Sequence, residues 1–84
     1  MIAKNLETLR TLWGFTIEEM SKLFTGVSAS AYRSYETGRR GVHVEMMCEL
    51  EDLTKIPVIR LYRETLHMKE LPDKPMRKKS YAAR

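Results

Sequence analysis

The chain has 84 residues, a formal net charge of +4 and a single cysteine, Cys48. This length predicts one small domain that buries roughly 60% of the surface an unfolded chain exposes, and a lone cysteine excludes both an intramolecular disulfide and a cysteine metal cage. Because no apolar run approaches the ~20 residues of a membrane span and no signal-peptide hydrophobic region stands at the start, we expect a cytoplasmic protein without a membrane partner.

Charge is unevenly distributed along the chain. Residues 1–72 contain ten basic and ten acidic side chains, so the whole excess of +4 lies in residues 73–84. Within the body, residues 33–40 are basic and residues 45–52 are acidic, a pattern typical of a molecule that orients itself on a polyanion. We therefore predict a folded domain at residues 1–71 and a basic C-terminal tail at residues 72–84, whose composition favours disorder.

Apolar residues recur at intervals of three and four between the glycines and prolines, which predicts amphipathic helices. The apolar stripes are Leu6, Leu9 and Trp13; Ile17, Met20, Leu23 and Phe24; Val44, Met47, Leu50 and Leu53, with Cys48 beside them; and Val58, Leu61, Tyr62 and Leu66. No stretch alternates as a strand would. The sequence therefore predicts an all-α fold, a compact bundle of four to five helices.

The second and third helices carry clear end signals. Thr16 and Glu19 are spaced as a capping box at the start of the second helix, and Ser28 is a suitable N-cap for a third helix that runs to about residue 37. Gly38 is expected to be the left-handed residue that ends that helix. Two short helices joined by a glycine-containing turn of about four residues, around Gly26, describe a helix-turn-helix. This pattern alone does not distinguish a DNA-binding unit from any other helical hairpin.

A more specific register lies around the third helix, where the sequence reads GVSASAYRSYETGRRG. The matching positions are Gly26, Val27, Ser28, Tyr32, Tyr35, Glu36, Gly38 and Arg39, preceded by Leu9-Arg10 and by Gly14-Phe15-Thr16. On these residues, the stretch from Asn5 to Leu66 resembles the Cro/CI-type (XRE-like) helix-turn-helix family of phage and bacterial regulators. The resemblance implies a lambda-repressor-like domain whose third helix enters the major groove of double-stranded DNA.

Two departures from the family pattern concern the second helix. Ile17 stands where the family usually has a DNA-contacting glutamine, and one extra residue, Phe24 or Thr25, lies between Leu23 and Gly26. The extra residue is expected to tilt the third helix relative to its neighbours.

The resemblance implies roles for individual positions. The base-reading residues are Ala29, Ser30, Arg33 and Ser34, and helical geometry agrees because Ala31, Tyr32 and Tyr35 form the inward face. The phosphate-binding residues are Thr16 and Ile17, through the amides of a helix N-terminus, together with Ser28, Arg39 and Arg40. Arg10 and Glu36 match a structural ion pair that links the first helix to the end of the third.

We expect the protein to be a DNA-binding transcription regulator that acts as a homodimer, such as a Cro-like repressor or a restriction-modification controller protein. One module buries too little surface for selective binding, whereas two modules can bind half-sites about 34 Å apart. By elimination, the dimer interface is assigned to Val58, Leu61, Tyr62 and Leu66. The alternative is an antitoxin that binds a toxin and represses its own operon.

An enzyme is not expected. His43 and His67 have no paired cysteine or carboxylate at metal-ligand spacing, and Cys48 on an apolar stripe is expected to be buried and inert. The sequence contains no phosphate-binding glycine loop or hydrolase motif. We therefore expect no metal and no cofactor.

Overall fold

The computed structural model describes residues 1–75, and this part of the chain forms five α-helices and one short 3₁₀ helix without any β-strand. The helices are α1 (Ile2–Trp13), α2 (Ile17–Ser21), α3 (Ala29–Glu36), α4 (Val44–Thr54) and α5 (Val58–Arg63), followed by the 3₁₀ helix Met68–Glu70. The predicted all-α class is confirmed. The predicted disorder of the basic tail concerns mainly residues 76–84, which lie outside the described residues.

The N-terminal starts of α2 and α3 are set by the capping residues that the sequence predicts. The Thr16 hydroxyl accepts from the amide of Glu19 at 3.1 Å, and the Glu19 carboxylate accepts from the amide of Thr16 at 2.9 Å. The Ser28 hydroxyl accepts from the amide of Ala31 at 3.0 Å. Each bond satisfies a backbone donor that a helix start leaves without an intrahelical partner.

The second helix is shorter than its apolar stripe predicts. It ends at Ser21, so residues 22–28 join it to α3 and the prediction of a four-residue turn is wrong. The amides of Leu23 and Phe24 donate to carbonyls three residues earlier, at 3.1 and 3.2 Å, rather than four. Both side chains are nevertheless buried in the core. The chain therefore continues as tightened turns, which keeps the apolar face but not the α-helical bonding.

The face of α4 that points inward differs from the predicted stripe. Met46, Met47 and Leu50 are buried, whereas Val44 is 77% exposed and Cys48 is exposed as well. At 100° per residue, positions 46, 47 and 50 lie on one side of the helix and positions 44 and 48 lie together on the other. The expectation that Cys48 is buried is therefore wrong.

One core joins all the elements. The helix α3 packs on α1 and α2, and α5 packs on α1 and α4. The core consists of Leu6, Leu9, Trp13, Phe15, Met20, Leu23, Phe24, Val27, Tyr32, Tyr35, Met46, Leu50, Ile56, Leu61, Leu66 and Leu71. None of the helices within residues 1–75 is long and apolar enough to cross a membrane.

The helix α5 is bound to α1 through a buried asparagine. The Asn5 amide nitrogen donates to the carbonyls of Leu61 and Glu64, both at 2.7 Å, and its oxygen accepts from the amide of Leu66 at 2.9 Å. Leu61 and Leu66 are consequently only 1% and 3% exposed. Their assignment to a dimer interface is wrong, because the domain itself needs them to complete its core.

Candidate nucleic-acid interface

The outer face of α3 presents all four residues that the sequence assigns to base reading. Ser30 and Arg33 are exposed, and Ala29 and Ser34 are partly exposed. On the opposite face, Tyr32 and Tyr35 are buried among the core residues. The outer face therefore combines hydroxyls, which donate or accept, with a guanidinium, which only donates.

The loop after α3 folds back onto the end of the helix. Gly38 has a φ of 80°, its amide donates to the Tyr35 carbonyl at 3.2 Å, and the Arg39 amide donates to the Ser34 carbonyl at 2.9 Å. This pair of bonds is a Schellman motif, which needs a left-handed residue at the glycine position. The Arg40 amide lies 3.3 Å from the same Ser34 carbonyl. The motif therefore holds the backbone of both arginines next to Ser34, a residue of the outer face of α3.

The basic side chains of this region are available to an external anion. Arg33, Arg39 and Arg40 are exposed, and none of them forms an ion pair with a residue in the described part of the chain. Arg10 and Arg60, by contrast, each bind carboxylates of the protein. Guanidinium groups with free donors match the oxygens of phosphate and the acceptor edge of guanine.

The start of α2 is less suited to a phosphate than the sequence predicts. The capping box occupies the Thr16 amide, which donates to the Glu19 carboxylate, so a phosphate contact through this amide is contradicted. The amide of Ile17 lies outside the capping box, but the exposed carboxylates of Glu18 and Glu19 belong to the same first turn. Their charge favours the helix dipole and opposes a second anion. At Ser28, the hydroxyl accepts a capping bond and retains its own proton for donation.

The expected ion pair between Arg10 and Glu36 is present and is part of a larger network. Arg10 Nε and Nη2 donate to the two carboxylate oxygens of Glu36 at 2.8 and 3.0 Å, and Nη1 donates to the Phe15 carbonyl at 3.1 Å. The Tyr32 hydroxyl donates to Glu36 Oε2 at 2.9 Å. One guanidinium therefore connects α1, the residue before the N-cap of α2 and the end of α3.

The network changes the proton affinities of its members. The pKa of Arg10 is raised because its guanidinium donates to the Glu36 carboxylate, although partial burial opposes the effect. The pKa of Tyr32 is raised above its ordinary value, first because the ring is buried and then because the Glu36 carboxylate disfavours a second negative charge. Both shifts favour the state in which Arg10 is charged and Tyr32 is neutral.

Two contacts that position α3 have no signal in the sequence. The amide and hydroxyl of Thr25 donate to the Glu49 carboxylate at 3.0 and 2.6 Å, which ties the turn before α3 to α4. The Tyr35 hydroxyl lies 3.0 Å from Nδ1 of His43, the N-cap residue of α4. Only the tertiary structure brings these partners together.

Comparison with family models, with curated proteins and with solved structures finds no match to this chain. Within residues 1–75, no group of three or more His, Cys, Asp and Glu side chains is arranged to hold a metal ion.

Proposed function

We propose that this protein is a sequence-specific DNA-binding transcription regulator, a Cro-like repressor or controller protein, that acts as a homodimer. In this proposal α2 and α3 form a helix-turn-helix of the lambda-repressor-like kind, and α3 lies in the major groove. The observation that carries the proposal is the outer face of α3, where small polar side chains and Arg33 are followed by the Arg39–Arg40 loop.

The dimensions and chemistry of α3 suit this role. Eight residues form a helix about 12 Å long, close to the ~12 Å width of the major groove. Arg33 would donate to guanine or to a phosphate, Ser30 and Ser34 would bond base edges, and Ala29 would contact a thymine methyl. Arg39 and Arg40 would bind backbone phosphates and fix the position of the helix on the duplex.

A homodimer is proposed because one short helix contacts few base pairs. Two copies on half-sites about 34 Å apart would double the contacts and match a palindromic operator. The surface available for this contact is the outer side of α5, where Ile59 and Tyr62 are exposed and Val58 is half-buried. Leu61 and Leu66 are buried and do not form part of this surface.

Fluorescence anisotropy tests the proposal. The protein is titrated onto DNA from upstream of its own gene and onto a scrambled duplex, over a salt series, as wild type, Arg33→Ala and Lys69→Ala. Lys69 is an exposed residue of the 3₁₀ helix, away from α3 and α5 in the sequence, and forms no ion pair within the described residues, so it controls for the loss of one charge. We expect the wild type to prefer the upstream duplex at physiological salt, and Arg33→Ala to reduce that preference by about 5- to 150-fold, the equivalent of about 1–3 kcal/mol. Equal binding to both duplexes, or equal effects of the two substitutions, would refute the proposal.

The second candidate is the toxin-binding antitoxin, which the exposed apolar residues of α5 also suit. Ile59 and Tyr62 would then contact a toxin instead of a second copy of this chain. Sedimentation of the purified protein separates the two candidates. The homodimer is supported if the wild type has twice the monomer mass of 9.9 kDa and the Ile59→Asp variant has the monomer mass. A monomer that forms a stable complex with the product of the neighbouring gene supports the antitoxin.

A further inference from the structure

A cleft lies between the turn that precedes α3 and the C-terminal half of α4. Its volume is about 530 Å³, which is in the range of clefts that hold small molecules. Residues 22–25 line one side, and Glu49, Asp52, Leu53 and Lys55 line the other. The cleft is therefore separate from the outer face of α3 and from the exposed apolar residues of α5.

The two sides of the cleft are joined at Thr25. Its amide and hydroxyl donate to the two carboxylate oxygens of Glu49 at 3.0 and 2.6 Å. Leu23 and Phe24 are buried in the core, and Leu53 packs against that core. These contacts hold both sides in place before a ligand binds, which lowers the ordering cost of binding.

Three charged residues of the cleft have no charged partner in the part of the chain that the structure describes. Lys22 and Lys55 are exposed and form no ion pair with any of residues 1–75, and the same holds for Asp52. The Glu49 carboxylate, by contrast, already accepts two hydrogen bonds from Thr25. A ligand in the cleft therefore meets two cations, one carboxylate and apolar side chains.

The backbone of Lys55 is a second feature that calls for an explanation. Lys55 is the C-cap of α4 and has a φ of 62°, the one positive φ outside glycine among residues 1–75. This left-handed conformation favours glycine, which is the usual residue at such a helix end. Backbone conformation therefore does not account for a lysine at this position. Its charge favours the dipole of α4, and it also brings a cation to the cleft.

We propose that this cleft binds a small zwitterion with an apolar body, namely a free apolar α-amino acid. The carboxylate of the ligand binds Lys22 and Lys55, and its ammonium binds Asp52. The side chain of the ligand packs on Leu53, which is the least buried apolar residue of the lining. A ligand with only one of the two charges leaves part of the cleft without a partner, so the site favours the zwitterion. The proposal concerns binding alone and does not depend on the proposed DNA-binding function.

Titration of the ¹⁵N-labelled full chain with L-phenylalanine, followed by the NMR shifts of its amides, tests the proposal. The titration is run at about pH 6.5, where both charged groups of the ligand are ionised. Three matched compounds serve as controls: N-acetyl-L-phenylalanine lacks the ammonium, L-phenylalaninamide lacks the carboxylate, and free glycine lacks the apolar body. The first two also represent the C-terminus and the N-terminus of a peptide.

We expect L-phenylalanine to bind at roughly millimolar concentrations and to shift the amides of Thr25, Leu53 and Lys55. The two compounds that lack one charge should bind about 3- to 10-fold more weakly, as expected when exposed charge contacts are lost. Free glycine should cause no localised shifts at the same concentrations, because it buries no apolar surface.

Three variants test the assigned contacts: Lys22→Gln, Asp52→Asn and Lys55→Gly. Lys69→Gln is the matched control, because it removes an exposed lysine that does not line the cleft. Each of the three variants should bind L-phenylalanine about 3- to 10-fold more weakly, and the control should bind it as the wild type does. Lys55→Gly should not lower the Tm, because glycine adopts the left-handed conformation without strain.

Three results would overturn the proposal. The first is the absence of localised shifts with L-phenylalanine up to about 50 mM, a concentration well above the expected affinity. The second is equally tight binding of N-acetyl-L-phenylalanine or L-phenylalaninamide, as expected of a site for a peptide terminus. The third is an unchanged affinity in Lys55→Gly, and a lower Tm in that variant would then assign Lys55 to the end of α4 alone.

Discussion

Replacing Arg10 with methionine would test the network that holds α3 in place. The methionine keeps most of the apolar stem but leaves the Glu36 carboxylate without its bidentate partner. The two side chains are 23% and 10% exposed, so the pair is largely removed from solvent. Breaking a buried pair costs about 3–5 kcal/mol, and we expect about 3 kcal/mol because Glu36 keeps the Tyr32 hydroxyl and some contact with water. For a domain of this size, such a loss lowers the Tm by about 12–24 °C.

Urea and thermal unfolding, followed by circular dichroism, measure this change. The control is Lys4→Met, which removes a cation from the same helix and breaks a Lys4–Glu7 pair that is mostly exposed, with its charged atoms 3.5 Å apart. Exposed pairs contribute about 0–1 kcal/mol, so this control should remain close to the wild type. If Arg10→Met cost no more than the control, the proposed role of the network would be refuted. A double-mutant cycle with Glu36→Gln adds a second criterion, since a coupling energy below about 0.5 kcal/mol would mean that the two side chains act independently.

Two further predictions concern the end of α3 and its buried tyrosine. Gly38→Ala should destabilise the domain by about 1–2 kcal/mol in urea unfolding, because φ is +80° there although no atom obstructs a Cβ. Gly41→Ala, at a glycine without positive φ, should change the stability by less than about 0.5 kcal/mol, and equal effects would contradict this reasoning. Tyr32→Phe should lower the free energy of unfolding by about 1 kcal/mol at neutral pH, because it removes the hydrogen bond to Glu36. Because folding raises the pKa of Tyr32, the unfolded chain releases this proton at a lower pH than the folded chain does. Above about pH 10, the free energy of unfolding of the wild type should therefore fall by about 1.4 kcal/mol more per pH unit than that of the variant. Parallel stability curves for the two proteins between pH 9 and 12 would contradict the raised pKa.

The Arg10–Glu36 pair, 26 positions apart, is predicted only through the family resemblance. The other features that the sequence predicts correctly depend on residues close together in the chain. Thr16 and Glu19 are three positions apart, Ser28 precedes the helix it caps, and Gly38 follows the helix it ends. Each of these residues acts on backbone groups within one or two turns, so no knowledge of the tertiary structure is needed. The outer face of α3 is predictable for the same reason, because it lies on a single helix bounded by two such signals.

The predictions that prove wrong concern which side chains face the core, and this depends on tertiary packing. The start of α4 has four nearly consecutive apolar residues, Val44, Met46, Met47 and Cys48, so periodicity allows more than one inward face. In the structure Met46 is buried and Val44 is exposed. The dimer surface rests on elimination, which gives α5 no partner inside the domain. In the structure, the three hydrogen bonds of Asn5 bring Leu66 and the end of α5 into the core. A polar residue on an apolar stripe gives no indication of partners that lie about 60 positions away.

The position of α3 is set from both of its ends. Before it, Thr25 is bonded to Glu49 on α4, and at its end Glu36 is bonded to Arg10 on α1. None of these four side chains belongs to the outer face of α3. If the proposed function is correct, Glu49→Gln and Arg10→Met should therefore weaken the preference for specific DNA by changing the orientation of α3. The salt slope should stay the same, because the contacts of Arg39 and Arg40 with phosphates would be retained. Loss of specificity without loss of phosphate contacts separates the positioning of the helix from the attraction to the backbone.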